Sequence, residues 1–359
     1  MDNIPSTIDF QPQFPTDYHP RIGLLGCGSI ARTGHLPAYQ KYGLTVGGVY
    51  DPRPEAVAGI QEQFGVEKIY PSEDDLLANP EIDVIDIATH PPERIRLMEK
   101  ALSAGKHILA EKPFAPDLKS ARKIIALAER KDLNVAVNQS GRWGPPWRAA
   151  TLLIQQGYIG DPFEVTHLFD VNFAWWIPGT VFDTLKNYEI YDYAIHWIDI
   201  TRCWMGEKEV VGVRAREYRT PHQPAESIAP YGMWIELVYA DGSNAMIRSA
   251  GTAETKKGGH LFWVHGSAGT IRGSIQLGSD FIELEKENVA ARYHLEGSWY
   301  PDGFAGTMGE LLCAIAEHRE PYHSAQHNLL SLQLTFAACR SADQDGALIS
   351  IDEAVKFLE

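Results

Sequence analysis

The chain has 359 residues, 44% of them hydrophobic and 22% charged, which is ordinary for a globular protein and long enough for two domains. No stretch approaches the roughly 18 uninterrupted apolar residues of a membrane helix, and a net charge of −15 argues against nucleic acid or an anionic membrane as partner, because phosphate contacts need clustered Lys and Arg. Cys27, Cys203, Cys313 and Cys339 lie far apart without a C-x-x-C pair, so neither structural zinc nor a disulfide framework is expected, and the thiols read as reduced in a cytoplasmic protein.

Residues 1–20 read as an arm. Pro5, Pro12, Pro15 and Pro20 forbid a continuous helix there, and no basic start followed by an apolar block marks a secretory signal. Such an arm either stays disordered or lies on a neighbouring subunit. From Arg21 the pattern alternates. Apolar runs over 22–25, 44–50, 84–88, 107–110 and 135–137 predict strands. Between them, 93–104 places Ile95, Met98 and Leu102 on one side of a helix. Asp117 opens another helix, with Ala121, Ile124, Ile125 and Ala128 inward. Strands alternating with helices predict a doubly wound parallel sheet over 21–140.

From 141 to the end at 359 the texture changes. Strands are predicted over 163–173, 210–218, 234–239, 245–249 and 261–265, with Asp241-Gly242 as a hairpin signal between two of them. Helices are predicted over 192–205, 304–317 and 329–342. This half reads as an α+β domain with a large, open, mostly antiparallel sheet.

Gly26-Cys27-Gly28-Ser29-Ile30-Ala31 follows the first strand and opens a helix, giving a G-x-G-x-x-A turn. Gly26 permits the bend, Gly28 lets a pyrophosphate approach, and Ala31 packs helix on strand. The first helical amides, from Ser29 and Ile30, face the phosphate charge. Asp51 ends the second strand near the ~20-residue spacing of a ribose-binding acid. A carboxylate there favours NAD over NADP, and Arg53 tempers that preference. The alternative is a plain αβ turn with no ligand.

Three further segments carry a resemblance. Ile87-Ala88-Thr89 is followed by His90-Pro91-Pro92. Next comes Ala104-Gly105-Lys106-His107-Ile108-Leu109-Ala110-Glu111-Lys112-Pro113, and later Asp192-Tyr-Ala-Ile-His196. Together these resemble the glucose–fructose oxidoreductase and inositol dehydrogenase family (Gfo/Idh/MocA), from about residue 21 to the C-terminus. The tail from Pro321 through Ala342 and Ile349 resembles that family's closing helix and strand. The resemblance implies a Rossmann domain, an open-faced α+β domain and an active site between them. It also implies homodimers or homotetramers through the C-terminal sheet. It puts Thr89, His90, Pro91, Glu111 and Lys112 at the cofactor, and Lys112, Asp192 and His196 in catalysis. Two departures stand out. Lys186-Asn187-Tyr188-Glu189-Ile190 replaces the family's glycines, and Arg94 replaces a customary histidine.

The chemistry is consistent with these residues. Oxidising an alcohol needs a proton acceptor near neutral pKa, which suits His196. Asp192, four residues earlier on a helix, lies on the same face and can orient the imidazole. From spacing alone, that pair equally reads as a packed helix start. Lys112, just past a strand end, can stabilise alkoxide charge, and a cis Lys112–Pro113 bond fits there. Asp199 reads as a structural partner or a catalyst. Arg142, Trp143 and Trp176 are candidate substrate contacts, since aromatic faces stack on sugar rings and arginine binds hydroxyls or carboxylates. Packing in the core or at a subunit interface is the alternative.

The expected activity is hydride transfer between NAD(P) and a secondary alcohol or ketone of a small polyhydroxylated substrate such as a sugar, cyclitol or glycoside. The rivals are redox-neutral cleavage of a glycoside through transient oxidation, and an NAD-binding regulator without catalysis. The wager is that two separate stretches bring an ammonium and an imidazole to one nicotinamide.

Overall fold

The computed structural model describes residues 4–254, 259–276, 280–287 and 289–351. The two ends of the chain, and with them the tips of the predicted arm and second domain, lie outside those residues. In chain order the elements are β1 (Arg21–Leu25), α1 (Leu36–Tyr42), β2 (Val46–Tyr50), the short helices α2 (Pro54–Val57), α3 (Ile60–Phe64) and α4 (Glu73–Leu77), β3 (Ile82–Ile87), α5 (Pro91–Ser103), β4 (His107–Ala110), α6 (Leu118–Lys131) and β5 (Val135–Val137). Then follow α7 (Pro145–Gln155), β6 (Pro162–Asp170), α8 (Ile195–Met205), β7 (Val210–Tyr218), β8 (Gly232–Tyr239), β9 (Asn244–Ala250), β10 (His260–Gly266), β11 (Gly269–Ile275), β12 (Phe281–Lys286), β13 (Val289–Tyr293), α9 (Phe304–Ala316), α10 (Ala325–Ala342) and β14 (Ile349–Ser350). Among the described residues, no helix is long and apolar enough to cross a membrane.

The residues cluster into two units. One comprises Gln11–Trp143 and Trp299–Leu329; the other comprises Met1–Phe10, Gly144–Ser298 and Leu330–Glu359. Both differ from boundaries at 20 and 140. Residues 11–20 pack within the first unit, where the Phe14 ring lies 5.5 Å from that of Tyr42. Residues 299–329 also belong there. Trp299 Nε1 donates to Ser140 Oγ at 3.0 Å, and Thr307 Oγ1 donates to Asn138 Oδ1 at 2.8 Å. Small residues allow the close approach: a Cβ on Gly306 would sit 2.4 Å from the Trp143 side chain.

In the first unit the five strands are all parallel, in the order β2-β1-β3-β4-β5. β1, β3 and β4 are buried nearly end to end, as a sheet covered on both faces requires. Asp117 caps α6 by accepting from Ser120 N at 2.7 Å. The inward positions Ala121, Ile124, Ile125 and Ala128 are buried.

The second unit holds a nine-stranded sheet in the order β13-β12-β11-β10-β6-β9-β8-β7-β14. Every pairing is antiparallel except that of β6 with β9. The β8–β9 hairpin turns at Gly242, with φ +86°, and Asp241 Oδ1 accepts from Ser243 N. Residues alternate buried and part-exposed along β6, β8, β9 and β10, so one face is core and the other is open. The core side packs aromatic rings from α7 and α8: Trp147 lies 5.4 Å from Trp197 and 6.1 Å from Trp204, both edge-on.

Candidate cofactor and catalytic residues

At the carboxyl end of β1, Gly26 has φ +95°, and a Cβ there would lie 2.8 Å from the Ala88 carbonyl oxygen. Only glycine fits. Gly28 is different: a Cβ would meet nothing nearer than Arg53 Nη2 at 3.8 Å. Among the described residues nothing else comes within 4 Å of that position, so the space is open to a group that approaches from outside the chain. The helix that follows, from Ser29 and Ile30 onward, has no acidic side chain in its first turn, which leaves its positive end for an anion. Thr89, whose methyl would also touch a Cβ on Gly26, keeps its buried Oγ1 without a partner among the described residues. A bare glycine, an open helix start and an orphaned hydroxyl fit a dinucleotide.

Asp51 is buried at the end of β2. Its Oδ2 accepts from Cys27 N at 2.9 Å, and Arg53 donates to both of its oxygens from N, Nε and Nη2. Burial works against the charge, and the Arg53 and amide hydrogen bonds outweigh it, so the carboxyl is held below the usual range. Arg53 is largely exposed and can release those oxygens to ribose hydroxyls. Cys27 is buried, and burial with the Asp51 charge pushes its thiol up to about 12.

Glu111 and Lys112 point to separate tasks. Expected at the cofactor, Glu111 is instead turned inward. Its Oε1 pairs with His35 Nε2 at 2.9 Å and accepts from Asn138 Nδ2 at 2.6 Å, while its Oε2 accepts from Lys112 N at 3.1 Å. His35 Nδ1 pairs in turn with Asp86 Oδ2 at 2.6 Å, which also accepts from the Tyr39 hydroxyl at 2.5 Å. Burial alone would strip the His35 proton; Asp86 and Glu111 overcome that and push its pKa up to about 10. Burial likewise opposes the Glu111 charge, yet His35, with Lys112 and Arg94 behind it, holds the carboxyl down at about 2. A π-helical turn, Ala31–His35, swings His35 into this position. The Lys112–Pro113 bond is cis.

His90 is an exposed residue ahead of α5 and makes no side-chain cap. Pro91 is the first residue of α5, beside Thr89. Arg94, by contrast, is only 2% exposed, and its two terminal nitrogens donate to the carbonyls of Pro113 and Thr89.

In the second unit, Asp192 lies in a π-helical turn, Glu189–Tyr193, and His196 is the second residue of α8. The expected single helix over 192–205 is therefore a π-to-α junction, closed by the Ala194 N to Glu189 O bond of 2.7 Å. Ile195, Trp197, Ile198 and Asp199 are buried, whereas Asp192 and His196 keep part of their surface. Asp199 is buried among hydrogen-bonding side chains of its own unit. Its Oδ1 accepts from Ser331 Oγ at 2.6 Å, and Ser331 accepts from Arg202 Nε at 3.0 Å.

The three candidate substrate contacts divide. Arg142 is buried and donates to the Tyr322 carbonyl at 2.7 Å, and Trp143 is buried 4.7 Å from the His323 ring and against Gly306. Both side chains are packed within the first unit. Trp176 is 42% exposed and stands on the rings of Phe173, Phe182 and Tyr188. Sequence reasoning missed His35, Asp86 and Asn138, which carry no local motif. Arg94 had a signal: a cation in the first turn of a helix opposes the dipole and needs a local reason.

The model of the oxidoreductase family with an NAD-binding Rossmann fold matches residues 20–139, and that of the GFO/IDH/MocA C-terminal domain matches 147–272. The first unit is an NAD-binding Rossmann domain of an oxidoreductase. The chain belongs to the Gfo/Idh/MocA family. A D-apiose dehydrogenase from Rhizobium rhizogenes is 27% identical over 86% of this chain and 84% of its own length. A second D-apiose dehydrogenase, from Paraburkholderia graminis, is 30% identical over 51% of this chain, and that match spans only 49% of the relative. An oxidoreductase from Agrobacterium radiobacter, solved with NAD+, L-tartaric acid and magnesium, shares the fold with a TM-score of 0.82 at 23% identity. That likeness covers 93% of this chain and 99% of that one.

Proposed function

We propose that this chain oxidises or reduces a secondary alcohol or ketone carbon of a small polyhydroxylated molecule, of the sugar and cyclitol class, with NAD as the hydride partner. The bound nicotinamide supplies the hydride acceptor or donor. Gly26, Gly28, the helix start at Ser29 and Ile30, Asp51 and Thr89 hold the dinucleotide. A ring nitrogen of His196 takes the substrate hydroxyl proton and returns it in the reverse direction. Asp192 orients that imidazole. The Lys112 ammonium donates to the reacting oxygen and stabilises its developing negative charge. Trp176 offers an aromatic face to the substrate ring.

The observation that carries this reading is the exposure pattern around His196: a part-exposed imidazole, its Nδ1 buried, in a helix whose neighbouring residues are core. The D-apiose dehydrogenase relatives support a sugar as the substrate. The test is NADH absorbance over a panel of sugars, cyclitols and glycosides. On the best substrate, His196→Ala is expected to lower kcat by about 10²–10⁴ while NAD affinity stays within threefold. Wild-type turnover by that variant would remove the histidine from the mechanism.

We also infer that the open face of the second unit's sheet pairs with another copy. It carries Leu168, Trp234, Leu261 and Trp263 at part-exposed positions, an apolar set that water disfavours. Sedimentation is expected to give a multiple of 40.0 kDa; a 40.0 kDa particle at micromolar concentration would count against it.

A further inference from the structure

The peptide that carries Lys112 is gripped on both sides by buried charge. On its amino side, Glu111 Oε2 accepts the Lys112 N–H at 3.1 Å. Glu111 cannot turn away, because its other oxygen is held by His35 and Asn138. Those two are anchored in turn, His35 by Asp86 and Asn138 by Thr307. On the carboxyl side, Arg94 donates to the Pro113 carbonyl, and with its other nitrogen to the Thr89 carbonyl. One guanidinium thus ties together the loops at the carboxyl ends of β3 and β4, the edge at which such sheets bind ligands.

Neither grip is explained by stability. Buried ion pairs contribute little beyond what apolar side chains of the same volume would give. Cations at the first turn of a helix are electrostatically misplaced, and Arg94 lies in that turn of α5. What a buried fork of donors adds is geometry. Holding a catalytic group within about 0.5 Å is the requirement that such outer partners meet.

We propose that His35, Glu111 and Arg94 are positioning residues that fix the Lys112–Pro113 main chain from both sides and so set where the Lys112 ammonium stands. This rests on the role given to Lys112 above.

The test uses the full chain with Glu111→Gln, Arg94→Lys and the milder Thr307→Val, which only unpins Asn138. Amide hydrogen exchange of the peptide containing Lys112 is followed without cofactor, alongside Tm, NAD affinity and kcat. Glu111→Gln is expected to speed exchange at the Lys112 amide at least tenfold. Both Glu111→Gln and Arg94→Lys should lower kcat by about 10- to 100-fold, with NAD affinity within threefold. Arg94→Lys keeps the charge but loses the rigid planar fork that spans the two carbonyls. Thr307→Val should fall between these and wild type, and it decides the matter if the others do not fold. A lowered Tm with unchanged kcat per folded molecule would reduce the cluster to a structural role and overturn the proposal, as would unaltered exchange at Lys112. Failure of the catalytic reading looks different: Lys112→Met would turn over like wild type while Glu111→Gln still loosened the amide.

Discussion

Lys112→Met is expected to bind NAD as wild type does and to turn over about 10²–10³ times more slowly. The substitution keeps the length and the apolar stem and removes only the charge and its protons. An oriented donor at a developing oxyanion contributes about 2.7–4 kcal/mol to the transition state and little to the ground state, so the loss should appear in kcat and not in KM. The backbone around the residue is held through Glu111 and Arg94, which is why the change should stay local and Tm should move little. Stopped-flow NADH formation on the best substrate, with cofactor affinity from intrinsic tryptophan fluorescence, separates the two. A variant with wild-type kcat would leave Lys112 as a surface cation.

The second large effect is expected at the glycine turn, and it comes as a contrast. Gly26→Ala forces a methyl group to within 2.8 Å of the Ala88 carbonyl oxygen and 2.9 Å of the Thr89 methyl, on a backbone at φ +95°. The left-handed conformation costs an alanine about 1–3 kcal/mol, and neither β1 nor the end of β3 can yield, because both are central strands. NAD affinity should fall at least 100-fold, and Tm by several degrees. Gly28→Ala meets only Arg53 Nη2 at 3.8 Å. Its Tm should stay within about 1 °C while NAD affinity still falls, because only the cofactor wants that space. Isothermal titration and calorimetry on the two variants measure both arms. Equal NAD affinity in Gly28→Ala and wild type would show that the dinucleotide does not pass over this turn.

Much of this was legible in the residue string because it rests on local rules. A strand, a glycine turn and an acid at the next strand end are set by backbone sterics and short spacing, and Gly26, Gly28 and Asp51 stand where the pattern places them. The parallel sheet was legible from alternation, and most of the second sheet from period-two runs. β11 to β13 were missed: Gly269, Gly273 and the charges of β12 and β13 dilute the apolar alternation. The inward turn of Glu111 was not legible either, since its partner His35 is 76 residues away and reaches it only through a π-helical turn. By residue type Arg142 and Trp143 read equally as ligand contacts or as packing. Their burial depends on 299–329 returning to cover them, and no local signal announces that return.

That return also orders events in time. Asn138 and Ser140 leave the ribosome long before Thr307 and Trp299, their partners 169 and 159 positions later. At about 5–20 residues per second, the newborn nucleotide-binding module waits on the order of ten to thirty seconds, its last wall missing, while nearly all of the other module is translated. The half of the protein that is written first is therefore completed only shortly before the other.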